Sequence, residues 1–393
     1  MIGNCKYQLI QLGDNVDFFN KLKIELQNKF DELKLNIDFI RFITEDNIHE
    51  YSGGEPAYVV YFGGDFIPDS DTLDIIMHQI NDGNIILPIS AKKLLADIPE
   101  ILKKYNILEW DNNLNKIVNL ILEGFELLRK SRKVFISYKR SESSNVAIQL
   151  YELLEQNNFD VFLDTHSVDK GEDFQEELWH RMTDCDVILM LNTDGFLKSE
   201  WCNKELEKAH IKRIGIVHLI WPGCDFEDFA YLAESIQLKT NDFEKPFYSS
   251  DLNNRLKEDI LPKIVNMIEG TRARNLASRQ DSIITDFTQA ASNNSISVQL
   301  QYQRYISQEL SSGKTIVYIP TVGIPQSINC HSSEKLLNKI GKKEVKSIRL
   351  IYDDLSIRDY WLDHLDWLND YLEIKTIKKI NFNRWFVTKQ YDK

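Results

Sequence analysis

The chain has no run of apolar residues long enough to cross a bilayer, where a helical span needs about 20 in succession. Its opening residues, MIGNCKYQLIQLGD, do not join a basic segment to a long apolar one, so no signal peptide is read there. Basic charge is also scarce. Lys and Arg number 47 against 60 Asp and Glu, a net charge of −13. Nonspecific binding to nucleic acid or anionic lipid needs a positive surface. Neither is therefore an expected partner, and the cytoplasm is the expected compartment. Cysteine is sparse. The five residues Cys5, Cys185, Cys202, Cys224 and Cys330 are scattered and form no C-x-x-C pair. They read as reduced thiols rather than a disulfide framework or zinc site, and no metal is expected.

What is present is ordinary globular material: 43% hydrophobic and 27% charged residues. A length of 393 residues leaves room for two or three domains. Residues 1–130 alternate apolar strands (7–13, 37–43, 57–64, 84–90) with helical patterns (17–33, 70–81, 114–130). Alternation of this kind predicts a parallel sheet. Residues 131–268 repeat the grammar more plainly, with strands KVFISY, DVFLD, DVILMLN and IGIVHLIWPG and a closing helix at 251–268. Residues 269–393 differ. A polar, helix-prone connector runs to about Leu310. Strands at 315–320 and 347–352, helices near 333–340 and 356–371 and a last strand near 380–388 make a smaller α/β module.

Three stretches of the middle segment carry candidate chemistry. VFISYKR (134–140) is a buried strand that stops at Ser137-Tyr138 and is followed by Lys139 and Arg140. In open α/β sheets ligands bind beyond the carboxyl ends of strands, although solvated basic residues are equally common there. FLDTHSVDKGEDFQEEL (162–178) is a strand ending at Asp164, a long polar loop, and a helix start near Asp173 and Phe174. SEWCNKEL (199–206) places Trp201 and Glu205 one helical turn apart on one face. The indole offers a plane for an aromatic or sugar ring, and the carboxylate can accept from a ribose diol. A core tryptophan beside a surface glutamate has the same spelling.

Taken in order, VFISYKR, LDTHSVDKGEDFQEEL, SEWCNKEL and IVHLIWP resemble the blocks of the Toll/interleukin receptor (TIR) domain family, across roughly 131–268. The resemblance implies a flavodoxin-like fold with a five-stranded parallel sheet. It also implies an activity, because the family's enzymatic members in bacteria, plants and one animal protein of axon degeneration cleave NAD+. By that resemblance Glu205 is the catalytic glutamate. Trp201 is the aromatic residue a turn before it, and Arg140 is a basic residue lining the pocket. Tyr138, Asp164 and Phe174 lie at the pocket mouth. NAD+ is the substrate and no further cofactor is implied. Adaptor members of the family often lack the glutamate.

The chemistry asked of these residues is modest. Breaking the nicotinamide–ribose bond builds an oxocarbenium-like centre, and nicotinamide already leaves from a cationic form. One carboxylate can grip the ribose hydroxyls and stabilise developing positive charge, or act as base for the incoming nucleophile. Water gives ADP-ribose, whereas an internal group gives a cyclic isomer. The implied setting is a bacterial antiphage immune effector that works when its TIR domains self-associate on an unknown trigger. Two rival classes stay open: a non-enzymatic interaction module and a virulence factor imitating host TIR signalling. Hydrolysis of another nucleotide on the same fold is a third.

Three further motifs read as structure. SSGKT (311–315) lacks the earlier glycine, strand and helix of a phosphate loop and reads as a turn. Gly63-Gly64 reads as a tight turn or a close approach to phosphate. In the helix DYWLDHLDWLNDYL, Trp361, Leu365 and Leu368 share a face and predict core packing.

Overall fold

In the computed structural model the chain forms two compact units, Met1–Lys130 and Ser131–Lys393. The structure describes the chain outside residues 1–6, 14–15, 34, 36, 54, 65–67, 92–94, 126, 129–130, 164–179, 198–213, 225–233, 246–253, 302–303, 341–344, 356 and 389–393.

The first unit is a parallel sheet of β1 (Tyr7–Leu12), β2 (Ile40–Ile43), β3 (Ala57–Phe62), β4 (Ile85–Ser90) and β5 (Leu108–Glu109) in the order β2-β1-β3-β4-β5. Its helices are α1 (Val16–Glu32), α2 (Ser70–Asn81) and α3 (Leu114–Gly124). Asp69 caps α2 by accepting from the N–H of Thr72 at 2.8 Å. The expected strand at 37–43 is only half a strand, because Ile37–Phe39 form a 3₁₀ turn.

The second unit holds two sheets. The first contains β6 (Lys133–Ser137), β7 (Asp160–Leu163), β8 (Val187–Asn192), β9 (Gly215–Ile220) and β10 (Glu234–Gln237), in the order β10-β9-β8-β6-β7. Every pairing is parallel. Renumbered from its own first strand, this is again 2-1-3-4-5, the flavodoxin-like order. β8 and β9 are buried along their whole length, which explains why their sequences run apolar without alternation. Helix α4 (Arg140–Gln156) covers one face through Val146, Ala147, Leu150 and Leu154. Helix α5 (Asp194–Leu197) is a single turn just after β8.

The other sheet is mixed. β11 (Gln299–Leu300), β12 (Ile306–Glu309) and β13 (Thr315–Thr321) pair antiparallel, and β13, β14 (Val345–Tyr352) and β15 (Lys375–Lys378) pair parallel. Around it lie α7 (Ser327–Ile340), α8 (Asp359–Tyr371) and α9 (Phe382–Val387).

One helix, α6 (Leu261–Asn293), belongs to both sheets. Its 33 residues span about 50 Å at 1.5 Å per residue. Ile264 and Ile268 join the core of the flavodoxin-like sheet. Ile283, Ile284, Phe287, Ala290 and Ala291 join the core of the mixed sheet. Between them Arg272, fully buried, reaches Asp186 Oδ2 at 3.4 Å, Glu269 Oε2 at 3.8 Å and the carbonyl of Ser131 at 3.3 Å. Arg132 closes the network through an ion pair with Glu269.

Four expectations change. The helical connector stops at Asn293 and gives way to β11 and β12. These short strands are polar and lie at the sheet's edge, so they carry no apolar alternation to read. The segment near 380–388 is helical over Phe382–Val387 because Phe382, Trp385 and Phe386, at helical spacing, all face the core. The helix expected at 251–268 begins at Leu261. SSGKT is the hairpin turn between β12 and β13, with Gly313 at φ +75°.

Candidate functional site

The flavodoxin-like sheet reverses direction between β6 and β8, and a crevice forms at the carboxyl end of such a switch point. Ser137 ends β6 fully buried, Tyr138 follows it buried, and Arg140 opens α4 exposed to solvent. The structure thus brings Tyr138 and Arg140 together at the sheet edge named from the sequence. Glu205, Trp201, Asp164 and Phe174 lie outside the described residues.

Three residues that sequence reading did not assign build this edge. Helix α4 is broken at Ser143, whose φ of −143° is not helical. The break leaves residues 140–142 as a separate turn above β6. From that turn Glu142 pairs with Lys139 Nζ at 2.6 Å and accepts the N–H of Gly195, in α5, at 3.0 Å. The two strand ends that frame the crevice are tied together by one carboxylate. Burial pushes the Glu142 carboxyl upward, but the hydrogen bond and charge of Lys139 and the N–H of Gly195 outweigh it. The net effect holds Glu142 below the usual range. The i, i+3 spacing of Lys139 and Glu142 was visible in the sequence, whereas the contact with Gly195 was not.

Beneath the edge lies a polar pair. Asn192, the last residue of β8, meets His218 Nδ1 of β9 at 2.6 Å, and both are buried. The carboxamide oxygen of Asn192 has no partner among the described residues. A buried acceptor left open in this way costs stability and sits where a donor from above would satisfy it. On the flank, Phe135 stacks on Phe162 at 5.6 Å, and the Arg181 guanidinium covers Phe162 at 4.3 Å.

Residues 134–251 match the family model described as the TIR domain. The chain carries a TIR domain. Its matched segment begins in β6 and runs past β10, so it contains the switch-point edge just described. No curated protein matches the chain. Among solved structures, the C-terminal domain of glucosamine-fructose-6-phosphate aminotransferase from Francisella tularensis is 8% identical over 70% of this chain and 85% of that one, with a TM-score of 0.21. A likeness that slight bears on neither fold nor function.

The first unit shares the TIR domain's strand order but not its edge. At Gly63 a side chain would fall 2.6 Å from Asp97 Oδ2. Asp97 is fixed there by Ser90 Oγ at 2.5 Å and the N–H of Ala91 at 2.7 Å. A carboxylate in that place repels phosphate, so Gly63 makes room for Asp97 rather than for a ligand. No helix of the described residues is long and apolar enough to cross a membrane. Among them, no group of three or more His, Cys, Asp or Glu is placed to hold a metal ion.

Proposed function

We propose that this TIR domain cleaves NAD+, releasing nicotinamide and leaving ADP-ribose or a cyclic isomer, with Glu205 as the essential carboxylate. One observation carries the reading: Trp201 and Glu205 stand in W-x-x-x-E spacing inside the segment that matches the TIR model. The crevice at β6 and β8 supports it, since Tyr138 and Arg140 stand at a carboxyl edge of the kind where α/β sheets bind ligands.

In this scheme Arg140 meets the diphosphate and Trp201 packs on a ring of the dinucleotide. Tyr138, Asp164 and Phe174 shape the mouth of the pocket. Glu205 accepts hydrogen bonds from the ribose and stabilises the positive charge that grows as the glycosidic bond lengthens. Water or a group of the same substrate then takes the anomeric carbon, with Glu205 placed to receive the nucleophile's proton. TIR domains commonly self-associate, and we assign activation to assembly of the domain on a trigger, in a bacterial defence against phage.

The test is direct. Wild-type and Glu205→Ala protein are incubated with NAD+ at high concentration and the products are separated and weighed by mass spectrometry. Nicotinamide release that depends on Glu205 is expected, and the partner mass tells water from internal attack. Equal release by both proteins removes Glu205 from the chemistry. No release by either, with the protein assembled, favours the adaptor reading.

A further inference from the structure

Helix α8 has two working faces. Leu362, Leu365 and Leu368 turn inward onto Ile324, Tyr352 and Ile357. On the outer side stand Tyr360, His364, Trp367 and Tyr371, spaced four, three and four residues apart. Side chains at that spacing form one stripe along a helix. The rings touch: His364 lies nearly parallel to Trp367 at 5.9 Å, and Trp367 meets Tyr371 at 4.8 Å. Yet Tyr360 is 75%, Trp367 53% and Tyr371 70% exposed.

The sequence adds a second regularity. Each ring of the stripe is preceded by an aspartate, as Asp359-Tyr360, Asp363-His364, Asp366-Trp367 and Asp370-Tyr371, and all four aspartates are exposed. No Lys or Arg occurs between residues 359 and 374. An acidic row therefore runs beside an aromatic row, one residue out of phase.

Exposed tyrosine and tryptophan gathered on one face mark protein interfaces. The charge row decides what covers this one. A second copy of the helix would set aspartate against aspartate, which disfavours it. Nucleic acid would meet the same repulsion. A guanidinium or ammonium group gains twice, from the ring faces and from the carboxylates beside them. We propose that this face docks a partner protein through an amphipathic helix bearing arginine or lysine beside an apolar stripe. The same helix touches the TIR domain. Trp361 stacks on the buried His180 at 5.5 Å, and the N–H of Arg358 donates to His180 Nδ1 at 3.4 Å. Docking on α8 thus reaches the TIR domain within one residue of the stripe. Its use as the trigger rests on the proposed activity, but the docking itself does not.

The probe is a labelled helical peptide with a leucine stripe flanked by arginines, titrated into the full-length chain at physiological salt and read by fluorescence anisotropy. Its twin carries glutamate at each arginine position. The wild-type chain is expected to bind the arginine peptide and not the twin. Replacing Tyr360, Trp367 and Tyr371 together by serine should weaken binding about tenfold or more, as interface aromatics do, with an unchanged circular-dichroism melt. Binding that survives the serine variant would trace to bulk acidity and overturn the proposal, as would failure of the arginine peptide to bind or equal binding of the twin. A dimer seen by light scattering that the serine variant dissolves would make a second copy the occupant and overturn it too. None of these readings depends on NAD+ turnover.

Discussion

Gly195 donates its N–H to Glu142 Oε2 at 3.0 Å, and the space its side chain would fill is already taken. A Cβ there would lie 2.0 Å from Glu142 Oε1 and 2.1 Å from Lys139 Nζ. The atoms in the way are the ends of flexible side chains, so a methyl group would displace the ion pair before it moved backbone. Gly195→Ala should cost about 1 kcal/mol, at the low end for overpacking. In a Glu142→Ala background the same change should cost less. Chemical denaturation of the four proteins of the cycle gives the coupling directly. Strict additivity would mean that Gly195 and Glu142 do not act together.

Glu142 also predicts a response to acid. Its folded carboxyl titrates below the ordinary range because Lys139 and Gly195 favour the charged form enough to overcome burial. The unfolded glutamate titrates at about 4.3. The stabilisation is therefore complete above that value and is lost as pH falls through the lower, folded value. Thermal melts from about pH 6 downward should fall more gently in Glu142→Gln than in wild type across this window. Parallel slopes would show that other carboxylates carry the acid response.

The buried network around Arg272 calls for a larger effect. This side chain is fully buried and faces Asp186, which also accepts the N–H of Lys133 at 3.0 Å, and Glu269, which pairs with Arg132. Removing one partner leaves the others charged and dry. Arg272→Ala should cost about 3–5 kcal/mol by urea denaturation. A cost below about 1 kcal/mol, the range of surface pairs, would place the network in contact with water.

How far the sequence could be read depended on whether the signal was local. β6, β8 and β9 are buried, uninterrupted apolar runs, and their spacing pointed to a parallel sheet with its working edge after Ser137. Phe382, Trp385 and Phe386 were equally local. Their spacing of three and one is helical, but aromatic residues in a short segment also suit a strand. The Glu142–Gly195 contact joins residues 53 apart that only the strand order brings together. Trp361 was expected in the core with Leu365. It is 38% exposed and packs on His180 of the TIR domain, a partner that no periodicity names.

Sequence reading placed a division at 268/269, and α6 runs through that point without a break. Cutting there would remove Arg272 and leave Asp186 and Arg132 without the partners that neutralise them. It would also strip Arg279 from the carbonyls of Thr183 and Cys185, at 2.7 and 2.8 Å. The floor under Gly215 would go as well, since Thr271 Cγ2 stands 2.7 Å from where its side chain would begin. A fragment of residues 131–280 keeps all of these and stops short of Ile283, Ile284 and Phe287, which belong to the other core. That fragment should melt cooperatively and release nicotinamide when concentrated, if cleavage is the TIR domain's activity. A fragment of residues 131–268 should melt at lower temperature or fail to fold, by loss of the buried partners. Equal melts would return the boundary to residue 268 and make α6 beyond it a part of the C-terminal module alone.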